Sequence, residues 1–449
     1  MKNTLSQNII RLAESCPYPL YLVGGRVRDF LAGISAQKPD NDICAPADAE
    51  DFVERAKAAG FTVDAVYKNT GTVKLRCGDE DYEFTSFRSD EYKRGEHRPY
   101  KTFFTDDITL DAKRRDFKCN AVYFDISAGQ FVDPLGGIAD IKSKICSTVA
   151  PAGKVFGEDG LRLMRLARIC AQTGFSPDAD CLAGAAMNAR LIEDISPERI
   201  FAELWQILHA DFKYGVKWAQ YRGLKLLHEI GVFKIILPEI ALGEGMVQPA
   251  AYHNYDVLEH SMRAVGYADK RVRLAALLHD AGKPFCKLRD GNYHKHDIEG
   301  ERIALDICAR LRVSKKLSSE TARLVSLHMY DLAGNARESK VRKFIVKNYD
   351  CLEDLTALKQ ADYSACKDDV AVAPTVKKMT DILNAMQSEG VPLTLKQLCV
   401  RGDELIFIGV PKERTGEILS KLLEECAINS VKNSKSELLN YALNLANRL

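Results

Sequence analysis

Several features that would assign the chain to a common class of protein are missing from its sequence. The 13 cysteines are scattered, the closest pair being Cys170 and Cys181, and no C-x-x-C motif occurs. This excludes a zinc ribbon and a dithiol redox motif. No apolar run approaches the roughly 20 residues that span a bilayer, and the first ten residues contain no signal-peptide core. Because unpatterned cysteines are typical of a reducing compartment, we expect a soluble, cytoplasmic protein without a membrane partner.

An excess of charge of one sign is missing as well. The chain has 63 Lys and Arg against 62 Asp and Glu, which leaves a net charge of +1. Any nucleic-acid partner must therefore bind a local basic patch. The chain also lacks repeats and low-complexity tracts. Its 449 residues suggest about three domains at roughly 150 residues each.

A pair of glycines near the N-terminus is the first feature that indicates chemistry. A short apolar strand is predicted to end at Gly24 and Gly25, and a helix follows directly. Glycines between a strand and a helix let backbone N–H groups approach a phosphate, and Arg26 and Arg28 add positive charge. An ordinary tight turn is the alternative interpretation of the pair.

Two aspartates follow the glycine pair after a short loop. Asp40 and Asp42 present their carboxylates on one face if they lie on a strand. Paired oxygen ligands beside a phosphate suit Mg²⁺ and two-metal nucleotidyl transfer. Glu83, on a predicted strand over residues 81–87, is a third candidate, although a solvated edge-strand glutamate fits equally well. A D-x-D motif alone is more often a solvated loop, but after the glycine pair it favours a nucleotidyltransferase.

A basic segment over residues 88–105 is predicted as a mobile loop, and the stretch KRRDFKCNA follows it. Arg114 and Arg115 could bind a triphosphate or an RNA backbone, with Asp116 orienting them. Asn120 could contact ribose or phosphate. A dibasic pair by itself is usually just surface.

A helix is predicted over GEDGLRLMRLARICAQTGF, opening at Glu158 and Asp159. Asp159, Arg162 and Arg165 recur at every third residue and should share one face, with Arg168 at its margin. Acidic residues in a first turn are also explained by the helix dipole. A carboxylate can accept from the exocyclic amine of cytosine or adenine while a guanidinium donates to a ring acceptor. Such a pair could select C and A without a nucleic-acid template.

Five blocks in this order resemble the class II tRNA nucleotidyltransferases, the family of bacterial CCA-adding enzymes and poly(A) polymerases. They are GGRVRD with DND, RRDFKCNA, DPLGG, EDGLR and ERIFAEL. The resemblance implies a tRNA 3′ end as acceptor, CTP and ATP as substrates, and Mg²⁺ as cofactor. It also implies that the basic loop helps to switch from C to A addition, which favours full CCA addition. The implied roles are metal binding by Asp40 and Asp42, nucleotide positioning by Gly24, Gly25 and Arg28, and base selection by Asp159 and Arg162.

A histidine-rich segment indicates a second site. Six of the nine histidines lie between His253 and His328, and a His-Asp pair at the end of an apolar helix suits a divalent transition metal. The order H…HD…H…H…D resembles an HD phosphohydrolase domain and implies phosphatase or cyclic phosphodiesterase activity with an ion of the Ni, Mn or Co type. His253 and His294 could line the pocket, and Lys283 could bind phosphate. The expected ligands are His260, His279, Asp280, His296, His328 and Asp362.

These patterns predict an α+β protein with a polymerase-β-like nucleotidyltransferase α/β head followed by helical domains. The expected segments are the head over 1–145, a nucleotide-selecting and RNA-binding neck and body over 146–245, an HD domain over 246–365 and a helical tail over 366–449. The predicted function is template-independent addition of CCA to tRNA. The alternatives are a poly(A) polymerase, an enzyme that adds only CC or only A, and an HD phosphohydrolase with an RNA-binding head. The sequence leaves the oligomeric state open.

Overall fold

The computed structural model describes residues 1–34, 41–91 and 100–446. A mixed seven-stranded sheet forms the head, in the order β3-β4-β5-β2-β1-β8-β9. Within it, β2 and β5 are parallel and the other neighbours are antiparallel. The strands are β1 (Tyr21–Leu22), β2 (Asn41–Ala45), β3 (Thr62–Tyr67), β4 (Thr72–Cys77), β5 (Glu80–Ser86), β6 (Arg88–Glu91), β7 (Lys101–Phe104), β8 (Tyr123–Asp125), β9 (Gln130–Val132), β10 (Ile145–Cys146) and β11 (Ser176–Pro177).

The chain divides into two compact units, one of residues 1–241 with 310–313 and one of residues 242–309 with 314–449. The helices of the first unit flank the sheet and then continue as a helical region. They are α1 (Gln7–Ser15), α2 (Gly25–Leu31), α3 (Ala49–Ala58), α4 (Ile108–Lys113), α5 (Gly137–Ser143), α6 (Ala152–Glu158), α7 (Leu161–Thr173), α8 (Ala179–Met187), α9 (Pro197–Leu208), α10 (Ala210–Tyr214), α11 (Ala219–Glu229), α12 (Phe233–Ile236) and α13 (Pro238–Ala241).

The second unit consists of helices in the described residues. A buried apolar cluster that includes Val341, Leu405 and Leu422 packs its C-terminal part. The helices are α14 (Val257–Tyr267), α15 (Arg273–Leu278), α16 (Lys283–Asp290), α17 (His296–Arg310), α18 (Lys315–Leu327), α19 (Glu338–Lys347), α20 (Leu352–Lys367), α21 (Pro374–Ser388), α22 (Gly402–Phe407), α23 (Thr415–Ala427) and α24 (Lys435–Ala446). None of the helices in the described ranges combines the length and apolar character needed to cross a membrane.

The predicted α+β class is confirmed, and two predicted elements are wrong in detail. The helix expected to open at Glu158 is two helices, because α6 ends there and α7 begins at Leu161. The basic segment predicted as a loop begins and ends in strands, since β6 and β7 pair as an antiparallel ribbon. Residues 92–99 of that segment lie outside the described residues.

Candidate functional site

The turn between β1 and α2 passes directly over a carboxylate on β2. Gly24 has φ +76°, and a Cβ atom on it would lie 2.9 Å from Asp42 Oδ2. The Val23 N–H donates to the Asp42 carbonyl oxygen at 3.0 Å, which holds the turn against β2. The backbone here requires glycine, both for its positive φ and for the close approach of the carboxylate.

A second carboxylate is the neighbour of Asp42 in the sheet. Glu83 is paired with Asp42 in the parallel register of β2 and β5, so both side chains leave the same face. Lys74 Nζ lies 3.9 Å from Glu83 Oε2, and the two side chains are 55% and 49% exposed. Such an exposed pair contributes little to stability. Asp40 lies outside the described residues, so its pairing with Asp42 stays a prediction.

Arg28, which the sequence analysis assigned to nucleotide positioning, is buried in a hydrogen-bond network. It donates to Asp29 Oδ1 at 2.9 Å, to Asn120 Oδ1 at 2.7 Å and to the Tyr214 hydroxyl at 3.1 Å. Burial lowers the pKa of Arg28, but the Asp29 carboxylate raises it above its ordinary value. The guanidinium thereby fixes α2 against the turn at Asn120 and against α10. Tyr214 has no local sequence signal that would have placed it here.

A buried carboxylate that the sequence analysis did not single out holds both arginines of the RRD motif. Asp111 Oδ1 accepts from Arg114 Nε at 2.7 Å, and Oδ2 accepts from Arg115 Nη2 at 3.0 Å and from the Tyr123 hydroxyl at 2.7 Å. Burial raises the pKa of Asp111, but Arg115 and Arg114 bring it down to about 2. The available signal was that the two arginines follow Asp111 by three and four residues, at the end of α4, because residues so spaced are neighbours on a helical turn.

Two arginines of α7 form ion pairs that tie it to the head and to α9. Arg165 Nε donates to Asp116 Oδ2 at 2.7 Å, and Asn120 Nδ2 donates to the other oxygen of that carboxylate at 3.3 Å. Burial raises the pKa of Asp116, but the Arg165 guanidinium lowers it to about 2. Arg168 Nε donates to Glu203 Oε2 at 2.7 Å. The RRD block therefore contacts α7.

The proposed base-selecting pair does not share a helical face, which corrects the sequence analysis. Asp159 precedes α7 with an extended backbone, and its Oδ1 accepts from the Leu161 N–H at 2.9 Å. Arg162 lies on α7 and is buried, donating to the carbonyl oxygens of Val155 at 2.9 Å and Arg114 at 3.0 Å. The bond to Arg114 brings Arg162 beside the RRD segment. The helix is interrupted at Asp159 itself, whose backbone is extended at φ −150° and ψ 110°, whereas Gly160 already has helical angles.

The predicted ligands of the second site come together in the second unit. Three helices, and the residues that directly follow two others, contribute imidazoles and carboxylates to one buried cluster. The ligand atoms fall into two groups, each within 4.8 Å: His260, His279 and Asp362, and then Asp280, His296 and His328.

Backbone carbonyls orient three of these imidazoles. Each carbonyl can only accept, so the Nδ1 atom facing it carries the proton and the lone pair of Nε2 points into the cluster. The pairs are His279 Nδ1 with Ala276 O at 2.8 Å, His296 Nδ1 with Tyr293 O at 2.8 Å, and His328 Nδ1 with Val325 O at 2.6 Å.

The inward nitrogens face one another and the carboxylates. The His260 and His279 Nε2 atoms are 3.1 Å apart, and those of His296 and His328 are 3.3 Å apart. Asp280 Oδ1 is buried without a hydrogen-bond partner among the described residues. Lone pairs and carboxylates at these distances repel unless a cation lies between them. The donor set of imidazoles and carboxylates fits divalent transition metals.

A cavity of about 1140 Å³ opens beside the cluster. Lys283 Nζ lies at its wall, 2.7 Å from Asp280 Oδ2 and 2.7 Å from Gln248 Oε1. Lys359, which the sequence analysis missed, is buried and donates to the carbonyl oxygens of His328 at 2.6 Å and Tyr330 at 2.5 Å. Burial lowers the pKa of Lys359 to about 8. His294 and His253 also line the cavity, as expected.

Three family models match successive parts of the chain. The Poly A polymerase head domain matches residues 20–147, the probable RNA and SrmB-binding site of polymerase A matches 174–242, and the HD domain matches 251–355. Head domains of this kind and HD domains imply dependence on divalent metals. Asp362, an expected ligand that follows the HD match in sequence, lies in the buried cluster with His260 and His279.

Known proteins resemble the chain over most of its length. It is 27% identical to the A-adding tRNA nucleotidyltransferase of Deinococcus radiodurans, over 92% of this chain and 93% of that protein. It is 30% identical to the Multifunctional CCA protein of Nitrosococcus oceani, over 69% of this chain and 74% of that protein. Matches to CCA-adding enzymes of three Geobacillus strains span 56% to 64% of those proteins.

Solved structures show the same fold. The CCA-adding enzyme of Bacillus stearothermophilus, solved with CTP, superposes with a TM-score of 0.69 at 23% identity, over 98% of this chain and 97% of that chain. The resemblance found in the five sequence blocks is thereby confirmed. The chain belongs to the family of bacterial tRNA nucleotidyltransferases that includes the CCA-adding and A-adding enzymes, and it carries an HD domain.

Proposed function

We propose that this chain adds nucleotides to the 3′ end of tRNA without a nucleic-acid template and completes CCA from CTP and ATP. The observation that carries the proposal is the Gly24 turn over the Asp42 carboxylate, in a chain of the tRNA nucleotidyltransferase family. We place this activity in the cytoplasm, because all 13 cysteines are free thiols, as is usual in reducing compartments.

The chemistry requires oxygen ligands beside a triphosphate. In this account Asp40 and Asp42 hold Mg²⁺, with Glu83 as the adjacent third carboxylate, and the ion supplies charge stabilisation at the attacked phosphate. The tRNA 3′ hydroxyl attacks the α-phosphate, the P–O bond to the β-phosphate breaks, and pyrophosphate leaves. Gly24 and Gly25 leave room for the triphosphate at the backbone.

The arginines around this centre divide into binding and positioning groups. Arg115 is 16% exposed at its side chain and held by Asp111, which orients it for a phosphate. Arg28 positions α2 through Asn120. Arg165, through Asp116, holds α7 against the head, and Arg168 holds it against α9.

Base selection is assigned to Asp159 and Arg162. An Asp159→Ala variant should incorporate UTP and GTP more readily, because the acceptor for the exocyclic amine of C or A is lost. Asp178→Ala is the matched control, since Asp178 also accepts a backbone N–H at a helix start and its loss should cost about 1 kcal/mol of stability. Unchanged selectivity of Asp159→Ala, with Asp178→Ala also normal, would count against the template role.

Addition of A alone is the second candidate, because the match to an A-adding enzyme covers 93% of that protein. The two functions separate on tRNAs with different 3′ ends. A CCA-adding enzyme extends a tRNA that lacks all three nucleotides when CTP is supplied. An A-adding enzyme extends only a tRNA that already ends in CC, and only with ATP.

The HD cluster supports an additional hydrolytic activity. We propose that its six ligands hold a pair of divalent transition metal ions, of the Ni, Mn or Co type, and that the site hydrolyses phosphoesters. Lys283 is placed to bind the substrate phosphate, since it projects at the cavity wall beside Asp280. The bound ions supply a nucleophile at neutral pH and charge stabilisation for the phosphate.

A matched pair of variants tests this second site. Asp280→Asn should lose metal and phosphoesterase activity while nucleotidyl transfer persists. Asp306→Asn is the control, because Asp306 lies in the same unit and is 64% exposed at its side chain. Phosphoester hydrolysis by Asp280→Asn at the wild-type rate would remove the HD assignment.

A further inference from the structure

A third cluster of metal-ligating groups adjoins the six HD ligands. One ligand atom each from His253, His260 and Cys366 lies within 4.8 Å of the other two. His253 and Cys366 are not among the six HD ligands and carry no role in the nucleotidyl transfer described above. Both line the same cavity as the HD cluster, so ions from solvent can reach them.

One nitrogen of each imidazole in this cluster lacks a hydrogen-bond partner among the described residues. His253 Nδ1 and His260 Nδ1 are buried, and neither has a hydrogen-bond partner among the described residues. His260 is fully buried, and its Nε2 already faces Asp362 Oδ1 at 3.1 Å. Burying a polar nitrogen without a partner costs about 1–3 kcal/mol. The Nδ1 atoms of the two rings are therefore available to a cation.

The backbone holds the segment that carries His253 against the end of α20. The Asn254 N–H donates to the Cys366 carbonyl oxygen at 2.9 Å, and Lys367 Nζ donates to the Ala251 carbonyl oxygen at 2.7 Å. The His253 and His260 ring centroids are 5.1 Å apart, with the ring planes at 89°. These contacts keep the imidazole beside the thiol before any ion binds.

We propose that His253, His260 and Cys366 form a third cation position, for a zinc-class ion with three protein ligands and one exchangeable water. This rests on the proposed HD centre, with which it shares His260: Nε2 serves the HD pair and Nδ1 the third ion. Two imidazoles and a thiolate are a ligand set that zinc uses. Zinc ligand atoms lie roughly 3.5 Å apart at about 2.0–2.3 Å from the ion, so side-chain movements of about 1 Å close the site.

Binding forms bonds to the ion from Cys366 Sγ, His253 Nδ1 and His260 Nδ1. The thiol proton passes to solvent, and so does the ring proton of His260, which would then bridge the two positions as an imidazolate. The third ion would present its exchangeable water position to the cavity, beside the proposed position of the substrate phosphate. Its function would be to hold a second anionic group of the phosphoester. The soft sulfur ligand distinguishes this position from the HD pair, whose ligands are nitrogen and oxygen.

The test uses the full chain, stripped of metal by a chelator and titrated with Co²⁺ as the probe. Wild type should show a near-ultraviolet sulfur-to-cobalt charge-transfer band, and Cys366→Ser should lose this band and bind one equivalent fewer. Cys351→Ser is the matched control, because Cys351 is a half-buried thiol of the same unit and should leave band and stoichiometry unchanged. His253→Gln should weaken the band without removing any cysteine.

The outcomes separate the third position from the HD centre. One outcome is that wild type binds two equivalents of Co²⁺, that Asp280→Asn loses them, and that no charge-transfer band depends on Cys366. This would overturn the third position and leave the HD centre standing. If Asp280→Asn binds as many equivalents of Co²⁺ as wild type, the HD centre is refuted, and the third position is refuted with it. If Cys366→Ser keeps the two equivalents that depend on Asp280, the unit is folded and the missing equivalent belongs to Cys366.

Discussion

Replacing Gly24 with alanine should slow catalysis as well as lower stability. The backbone at Gly24, with φ +76° and ψ −144°, lies close to a region occupied almost only by glycine, so an alanine costs about 1–3 kcal/mol. The added Cβ would lie 2.9 Å from Asp42 Oδ2, whereas ordinary contacts begin near 3.4 Å. The carboxylate must therefore move by about 0.5 Å or more.

A displacement of that size at a reacting centre should slow the reaction strongly, since about 1 Å of misplacement can lower the rate about 100-fold. We expect kcat/KM for nucleotide incorporation to fall by roughly 10- to 100-fold, and the free energy of unfolding to fall by about 1–3 kcal/mol. The assays are incorporation of CTP into tRNA and urea unfolding.

Gly78→Ala is the matched control for this experiment. Gly78 also lies in the head and has φ +60°, but an added Cβ would meet nothing within 4 Å. It should lose about 1–2 kcal/mol of stability and keep its activity. If both variants lose activity in proportion to their stability, the close approach of Gly24 to Asp42 has no catalytic meaning and the reasoning is refuted.

Two further perturbations test the buried polar groups. The pKa of Asp111 falls from 3.8 to about 2 in the folded protein. The ionised carboxylate should therefore contribute about 2 kcal/mol to the free energy of unfolding. This contribution is present above pH 4 and is lost as the pH falls towards 2. The urea midpoint should follow this change in wild type, and an Asp111→Asn variant with the same acid dependence would contradict it. Lys359→Met should lower stability by about 1–3 kcal/mol, because two buried carbonyls lose their donor, and weaken HD metal affinity about 10- to 100-fold. Competition with a chelator measures the metal affinity of the HD site. The control is Lys340→Met, which changes an exposed lysine of the same unit. Equal metal affinities in the two variants would contradict a positioning role for Lys359.

Local pattern was sufficient to predict the glycine turn of the head and the histidine cluster of the second unit. The strand, glycine turn and helix over residues 21–31 follow from an apolar run and a glycine pair, and the structure has β1 and α2 there. The six residues proposed as HD ligands could be selected because histidine is rare and their order is distinctive, and the structure brings their side chains together. Each of these signals is contained in neighbouring residues or in residue type.

The remaining features depend on contacts between distant parts of the chain. The helix is interrupted at Asp159, whose backbone is extended, and the adjoining Gly160 packs so closely that a Cβ on it would lie 2.3 Å from the Leu191 carbonyl oxygen. The burial of Arg28 depends on Asn120 and Tyr214, which lie far along the sequence. Periodicity cannot reveal either contact. Cys366 was overlooked for the same reason, because only the fold places α20 beside His253.

The central claim is that the head of this chain builds CCA through Asp42. The most direct test is an extension assay on tRNA that lacks its 3′ CCA. The tRNA is incubated with CTP alone, with ATP alone and with both, and the products are resolved at single-nucleotide length. Wild type should add two nucleotides with CTP and a third only when ATP is also present. Asp42→Asn should add none, while Asp64→Asn, an exposed carboxylate of the same sheet, should match wild type. A long ladder of A, or undiminished extension by Asp42→Asn, would contradict the account.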